Sequence, residues 1–112
     1  MNWYTISVAG VNADLNSQAN LWKLMQDVQA NPDQKVTATI VPERDNPHDP
    51  NALRVELNGQ KIGYVARKDQ PGLVQAFPAF PATVAALKGK IEGWGVHKDN
   101  QLFCQINIPV TA

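Results

Sequence analysis

The chain has 112 residues, 44% of them apolar, with ten basic and ten acidic side chains and a formal net charge of zero. That length fits one domain (residues 1–112) with a core of its own, and that composition excludes intrinsic disorder. The balanced charge excludes the strong basic excess of a general nucleic-acid coat, while leaving room for a local basic patch. The charges are uneven, since residues 1–43 hold two bases against four acids and residues 44–112 hold eight against six. The single cysteine, Cys104, excludes an internal disulfide. No apolar run reaches membrane-spanning length, and MNWYTISVAG lacks the basic segment and apolar core of a secretory leader. The expectation is a soluble, cytoplasmic protein.

Tyr4, Ile6 and Val8 alternate with Thr5 and Ser7, the period-two pattern of a strand that buries one face. Gly10 suggests a bulge or a close backbone approach near its end. Leu21, Leu24, Met25 and Val28 recur at helical spacing, which predicts an amphipathic helix capped by Asn16 or Ser17. Trp22, at the edge of that stripe, reads as core. Asn31-Pro32 ends the helix, because Pro32 cannot continue it and restricts Asn31. KVTATIVPE (35–43) reads as the second strand and ALRVEL (52–57) as the third. Asn58-Gly59 signals a two-residue hairpin into QKIGYVA (60–66), since both residues accept positive φ. Asp69 is placed to cap a short helix carrying Leu73, Val74 and Phe77, interrupted by PAFPA (78–82). Residues 83–88 are open between a helical turn and a strand. KIEGWGV (90–96) and QLFCQINIPV (101–110) form a last hairpin across HKDN.

About six short strands, one clear helix and one short helix describe an α+β, mainly β chain. Helices do not alternate with strands, so a doubly wound parallel sheet is excluded in favour of a small six-stranded antiparallel barrel with appended helices. Gly63, Gly93 and Gly95 suit the bends that closing such a barrel needs.

The chemistry-bearing stretch is NPHDPNA (46–52). As a calcium loop it fails, because counting from Asp45 the third and sixth positions are Pro47 and Pro50, where an oxygen ligand and a glycine are required. As a zinc site it fails for want of clustered Cys and His, so neither a metal nor a cofactor is expected. Cys104, among Leu102, Phe103 and Ile106, reads as a small core side chain. With no nucleophile elbow and no phosphate-cradling loop, the chain does not read as an enzyme. Asn and Asp bonding their own backbone explain part of the stretch as a turn, with Asn51 read as bonding the loop backbone. The prolines also stiffen it, lowering the cost of holding side chains toward a ligand. Arg44, Arg54, Lys61, Arg67 and Lys68 are a solvated face or, gathered at one mouth of the barrel, a phosphate track. Trp94, between two glycines, is open between core packing and a stacking platform.

DNPHDPNALRVELNGQKIGYVARK (45–68) resembles the signature of HIRAN domains, with an N-P-aromatic/His-D-x-N-A core, a polar turn and IGYV after it. VAGV (8–11) and KIEG (90–93) fall where that family has similar segments, so the resemblance spans roughly residues 5–97. It implies an OB-like barrel that binds single-stranded DNA and recognises a free 3′-hydroxyl end, in the setting of DNA repair, replication or phage DNA metabolism. Members of this kind that precede a SWI/SNF-type helicase do so; with no helicase following here, the chain resembles stand-alone bacterial or phage members, with a helicase or nuclease as partner in trans. It implies that Asp49 receives the terminal hydroxyl, that Asn46 faces the ligand and that His48 stacks on a base. Tyr64 then lines the pocket and Arg67 faces a phosphate; Lys68, Lys61 and Arg44 are further nucleic-acid contacts on the phosphate-track reading of the basic residues. On the first strand, where the DNA-binding members carry an aromatic, this chain has Ser7 and Val8, leaving Trp3, Tyr4 or Trp94 to supply a second stack. The rival reading is a non-catalytic protein-interaction adaptor of the same fold.

Overall fold

The computed structural model describes residues 2–80 and 84–110. Six strands close into an antiparallel barrel in the order β1-β4-β3-β2-β5-β6, as the sequence pattern predicts. β1 (Asn2–Ala9) runs beside β6 (Leu102–Val110) from Asn2 opposite Val110 to Ser7 opposite Gln105. It then changes partner, and Val8 and Ala9 pair with Val65 and Tyr64 of β4 (Gln60–Val65). This switch closes the barrel. It is held by the Ser7 carbonyl, which accepts from the Ala66 N–H at 3.1 Å, and by the Ser7 N–H, which donates to Asp69 Oδ2 at 2.9 Å.

The remaining ladder follows the sequence closely. β2 (Ala38–Pro42) pairs with β3 (Leu53–Leu57) and with β5 (Leu87–Val96). β2 starts three residues later than the alternation suggests, with Val36 half-buried just outside it. Asn58 and Gly59 take φ of 50° and 80°, the turn their side chains favour, and join β3 to β4. One bulge interrupts β3–β4 at Val55/Glu56 and another interrupts β5–β6 at Ile91/Gly93. Gly63 is required by close approach: a Cβ there would lie 2.5 Å from the Ala9 carbonyl oxygen, on the strand that closes the barrel. Gly10 is different from the expectation, since it has open space around it and a φ of 76°, and serves as a turn residue.

α1 (Leu15–Ala30) packs across β4 and buries Ser17, Leu21 and Leu24. Its cap is Asp14, two residues ahead of the expected Asn16 or Ser17. The Asp14 carboxylate accepts from the Asn16 N–H at 3.0 Å and from the Ser17 hydroxyl at 3.0 Å, so Ser17 faces inward and braces the cap. The Ser17 bond comes first among the causes that lower the Asp14 carboxyl below its ordinary value. The helix ends at Asn31, as the following proline requires. Trp22 points away from the core, 47% exposed, which corrects its reading as core: the stripe that is buried runs through Ser17, Leu21 and Leu24, and Trp22 lies beside it.

Arg67–Asp69 form a 3-10 turn that runs straight into α2 (Gln70–Ala76). Asp69 occupies the cap position but makes no side-chain cap bond, because its carboxylate is committed to Ser7. α2 buries Leu73, while Phe80, within the break, fills the core. Pro81, Ala82 and Thr83, part of that break and of the ambiguous stretch, lie outside the described residues.

Ile6, Ile40, Val55, Leu57, Ile62, Ile106 and Ile108 fill the barrel with at most 1% exposure. Each such side chain contributes about 1.5–3 kcal/mol by leaving water. Cys104 belongs to this core, and burial pushes its thiol up to about 12, in keeping with a packing role. Trp94 packs half-buried against the same cluster. Among the described residues no helix is long and apolar enough to cross a membrane.

Candidate nucleic-acid interface

The mouth of the barrel where β1 passes to β4 carries a pocket of about 280 Å³. It is lined by the buried Ala52 and Val65, by the exposed Ala9 and Gly10, and by the side chains of Asn46, His48, Asp49, Tyr64, Arg67 and Gln70. These residues come from four parts of the chain: the end of β1, the 46–52 loop, the end of β4 and the turn into α2. The five site residues that the sequence singles out at closest range, Asn46, His48, Asp49, Tyr64 and Arg67, therefore surround one space.

The loop is built from its own polar side chains. Asn46 Oδ1 accepts from the N–H groups of His48 and Asp49, at 2.8 and 3.0 Å. Asp49 Oδ1 accepts from the Asn51 N–H at 2.9 Å, so Asn51 contributes its backbone, while its carboxamide makes no hydrogen bond among the described residues. The Glu43 N–H donates to the Ala52 carbonyl at 2.9 Å and closes the base of the loop. Prolines 47 and 50 fix φ between these anchors. Asp49 is half-buried, and its Oδ2 has no hydrogen-bond partner among the described residues. One carboxylate oxygen thus shapes the loop and the other is left for the pocket. His48 is exposed at the rim and also lines a second, polar concavity on the far side of the loop.

Glu43, which the sequence reading leaves out, is the hub behind the pocket. Its Oε1 accepts from the Tyr64 hydroxyl at 2.8 Å and from Asn46 Nδ2 at 3.0 Å. Its Oε2 accepts from Arg54 Nη1 at 3.0 Å. Burial works to raise its carboxyl, but the bonds from Tyr64, Arg54 and Asn46 outweigh it and hold the group below the ordinary carboxylate range. The available signal was its position, directly after β2 and just ahead of the proline-rich loop.

The basic residues do not gather as one track. Arg67 lines the pocket. Lys68 is exposed beside it in the 3-10 turn, outside the pocket wall. Lys61 stands with its ammonium 4.5 Å from the centre of the Tyr64 ring and 3.7 Å from Asp14 Oδ2. Arg54 is paired on both sides, by Glu43 and by Glu56 at 2.7 Å. Arg44 lines the neighbouring concavity. None of Trp3, Tyr4 and Trp94 reaches the pocket: Lys90 covers Trp3, the Tyr4 hydroxyl donates to the Asp69 carbonyl, and Trp94 packs on the core. In the place of the first-strand aromatic, Ser7 anchors Asp69 through its main-chain N–H and Val8 packs against the core. Among the described residues no cluster of three or more His, Cys, Asp or Glu side chains is arranged to hold a metal.

The fold is a closed antiparallel barrel whose mouth carries a small pocket edged by polar side chains of a proline-stiffened loop. The chain belongs to the HIRAN domain family, whose model matches residues 15–76, from the start of α1 to the end of α2. HIRAN domains are in general nucleic-acid-binding modules. No curated protein and no solved structure matches the chain.

Proposed function

We propose that this protein is a non-catalytic module that captures single-stranded DNA and holds a free 3′-hydroxyl end in the pocket around Asp49. The observation that carries this reading is the convergence of Asn46, His48, Asp49, Tyr64 and Arg67 on one space, with one Asp49 oxygen unpartnered among the described residues. An ionised carboxylate only accepts hydrogen bonds, so it suits a terminal hydroxyl, which donates, and repels a terminal phosphate. His48 stands where it can stack on the last base, and Arg67 where it can meet a phosphate. The pocket is small, which fits the end of a strand better than a duplex. With zero net charge and Arg67 as the pocket's one cationic side chain, the salt slope is expected to be shallow, about that of one or two phosphates. Such a module acts in DNA repair, replication or phage DNA metabolism, presenting ends to a helicase or nuclease.

The test is fluorescence anisotropy with single strands ending in a 3′-hydroxyl or a 3′-phosphate, at low and moderate salt. Salt-sensitive binding that prefers the hydroxyl end supports the reading, and absence of binding at every salt concentration overturns it. That second outcome favours a protein-interaction adaptor, for which one observation speaks. Leu15, Trp22 and Val96, 80%, 47% and 46% exposed, line a separate apolar groove of about 520 Å³ between α1 and the β5–β6 hairpin.

A further inference from the structure

We infer that Glu43 is the positioning residue of the pocket, setting the Asp49 loop through Asn46 and the hydrogen-bond polarity of the opposite wall through Tyr64. The inference rests on the reading of the pocket as a site for hydroxyl-bearing ends, and it deepens that reading by saying what sets the preference.

The chain of contacts is short. A carboxamide has one donor end and one acceptor end. Asn46 Nδ2 meets Glu43 Oε1, which only accepts, so Asn46 Oδ1 is turned toward the N–H groups of His48 and Asp49. Those two bonds fix the backbone that aims the Asp49 side chain. Without an acceptor at position 43, the carboxamide loses the partner that decides its orientation. On the other wall, the single proton of the Tyr64 hydroxyl is committed to the same Glu43 oxygen. The Tyr64 oxygen then offers only lone pairs to a ligand, the same polarity as Asp49. Where Asp49 and Tyr64 face the ligand, both accept, and that part of the pocket favours a ligand end that donates.

Arg54 from β3 fixes the other Glu43 oxygen and is itself held by Glu56, while Lys61 of β4 lies over the Tyr64 ring. The Glu43 carboxylate is therefore ionised and pinned on three sides. The main-chain bonds at the base of the loop, Glu43 N–H to Ala52 carbonyl and Asn46 N–H to Glu43 carbonyl, do not involve the side chain. A side-chain substitution can thus disturb the aim of the loop without opening its base.

The experiment compares wild type with Glu43→Leu, which removes both acceptor oxygens while leaving the main-chain bonds at position 43 in place, and with Glu56→Gln, which also removes a charged partner of Arg54 but touches neither Asn46 nor Tyr64. The first readout is the ratio of affinities for 3′-hydroxyl and 3′-phosphate strands. The second is amide hydrogen exchange at His48 and Asp49 in the free protein, with the melting temperature as the control for folding. Glu43→Leu is expected to lower the hydroxyl preference about tenfold and to speed exchange at both amides, with Glu56→Gln leaving both unchanged. A folded Glu43→Leu protein with wild-type preference and wild-type exchange overturns the inference. Wild type that binds neither end, or both equally, overturns the reading of the pocket instead. The exchange measurement then still decides whether Glu43 aims the loop.

Discussion

Two exposed connections of this molecule carry nearly the same letters, and only one of them makes a site. NPHDPNA (46–52) and HKDN (97–100) each hold Asn, Asp and a histidine. In the second, Asp99 Oδ1 accepts from the Gln101 N–H, the His97 N–H donates to the Gln101 carbonyl, and Asn100 takes a φ of 66°. The His97 ring stacks on Phe103 at 4.5 Å. Among the described residues, the bonds of that turn stay within the hairpin, where they join two strands. The first connection is tied outward: Asn46 to Glu43, Glu43 to Tyr64 and Arg54, with the β1–β4 junction lining the same pocket. Turn chemistry becomes a site when it is anchored to a neighbouring strand and faces a concave wall.

The contrast can be broken most forcefully at Gly63. A Cβ there meets the carbonyl of Ala9, which lines the pocket, so Gly63→Ala is expected to cost about 3 kcal/mol in urea unfolding, near the top of the overpacking range. Next in size, Asp49→Ala removes the acceptor for the terminal hydroxyl. It is expected to lower the preference for hydroxyl over phosphate ends by about 2 kcal/mol, read by anisotropy. His48→Ala is expected to weaken single-strand binding by about 1 kcal/mol at both kinds of end, because a stack does not read the terminus.

Acid provides a gentler probe. The Glu43 carboxyl is lowered in the folded protein, so its contribution to stability is complete above its ordinary value of 4.5 and is lost as pH falls through the folded value. Thermal melts from pH 6 down to about pH 3 should therefore show an acid-side loss in wild type that is smaller in Glu43→Gln. Asp99→Ala, in the turn that makes no site, is expected to move stability by less than about 0.5 kcal/mol and end preference not at all.

What was legible in the sequence was whatever has a local cause. Alternation at Tyr4-Ile6-Val8 and Leu53-Val55-Leu57, the Asn58-Gly59 turn and the Asn31-Pro32 stop depend on neighbours in sequence, and they appear as expected. The loop motif was legible too, through the HIRAN signature, and its residues meet around one pocket. What was missed depends on contacts between distant residues. Asp69 has the sequence position of a cap but bonds Ser7, 62 residues away. The helix cap moved to Asp14 because Ser17, which looked like a cap, turns inward to brace it. Trp22 sits only one step off the buried stripe, too fine a rotation to resolve from spacing. Lys61 and Arg54 looked like a basic face, yet each meets an acid brought close by the fold. Glu43 was invisible as a hub because its partners, Tyr64 and Arg54, lie 21 and 11 residues on.

The lone thiol of Cys104 gives the molecule a built-in clock. It is 2% exposed inside the barrel, and only a thiolate reacts with an alkylating reagent. In the closed barrel that form is suppressed and walled off by Ile106, Leu102 and their neighbours. Labelling must therefore wait for the strands to part, and its rate counts the fraction of time the barrel stands open. A DNA strand held across the β1–β4 junction would have to slow that clock, so one unmodified cysteine can report, without any dye on the nucleic acid, that the mouth has been closed.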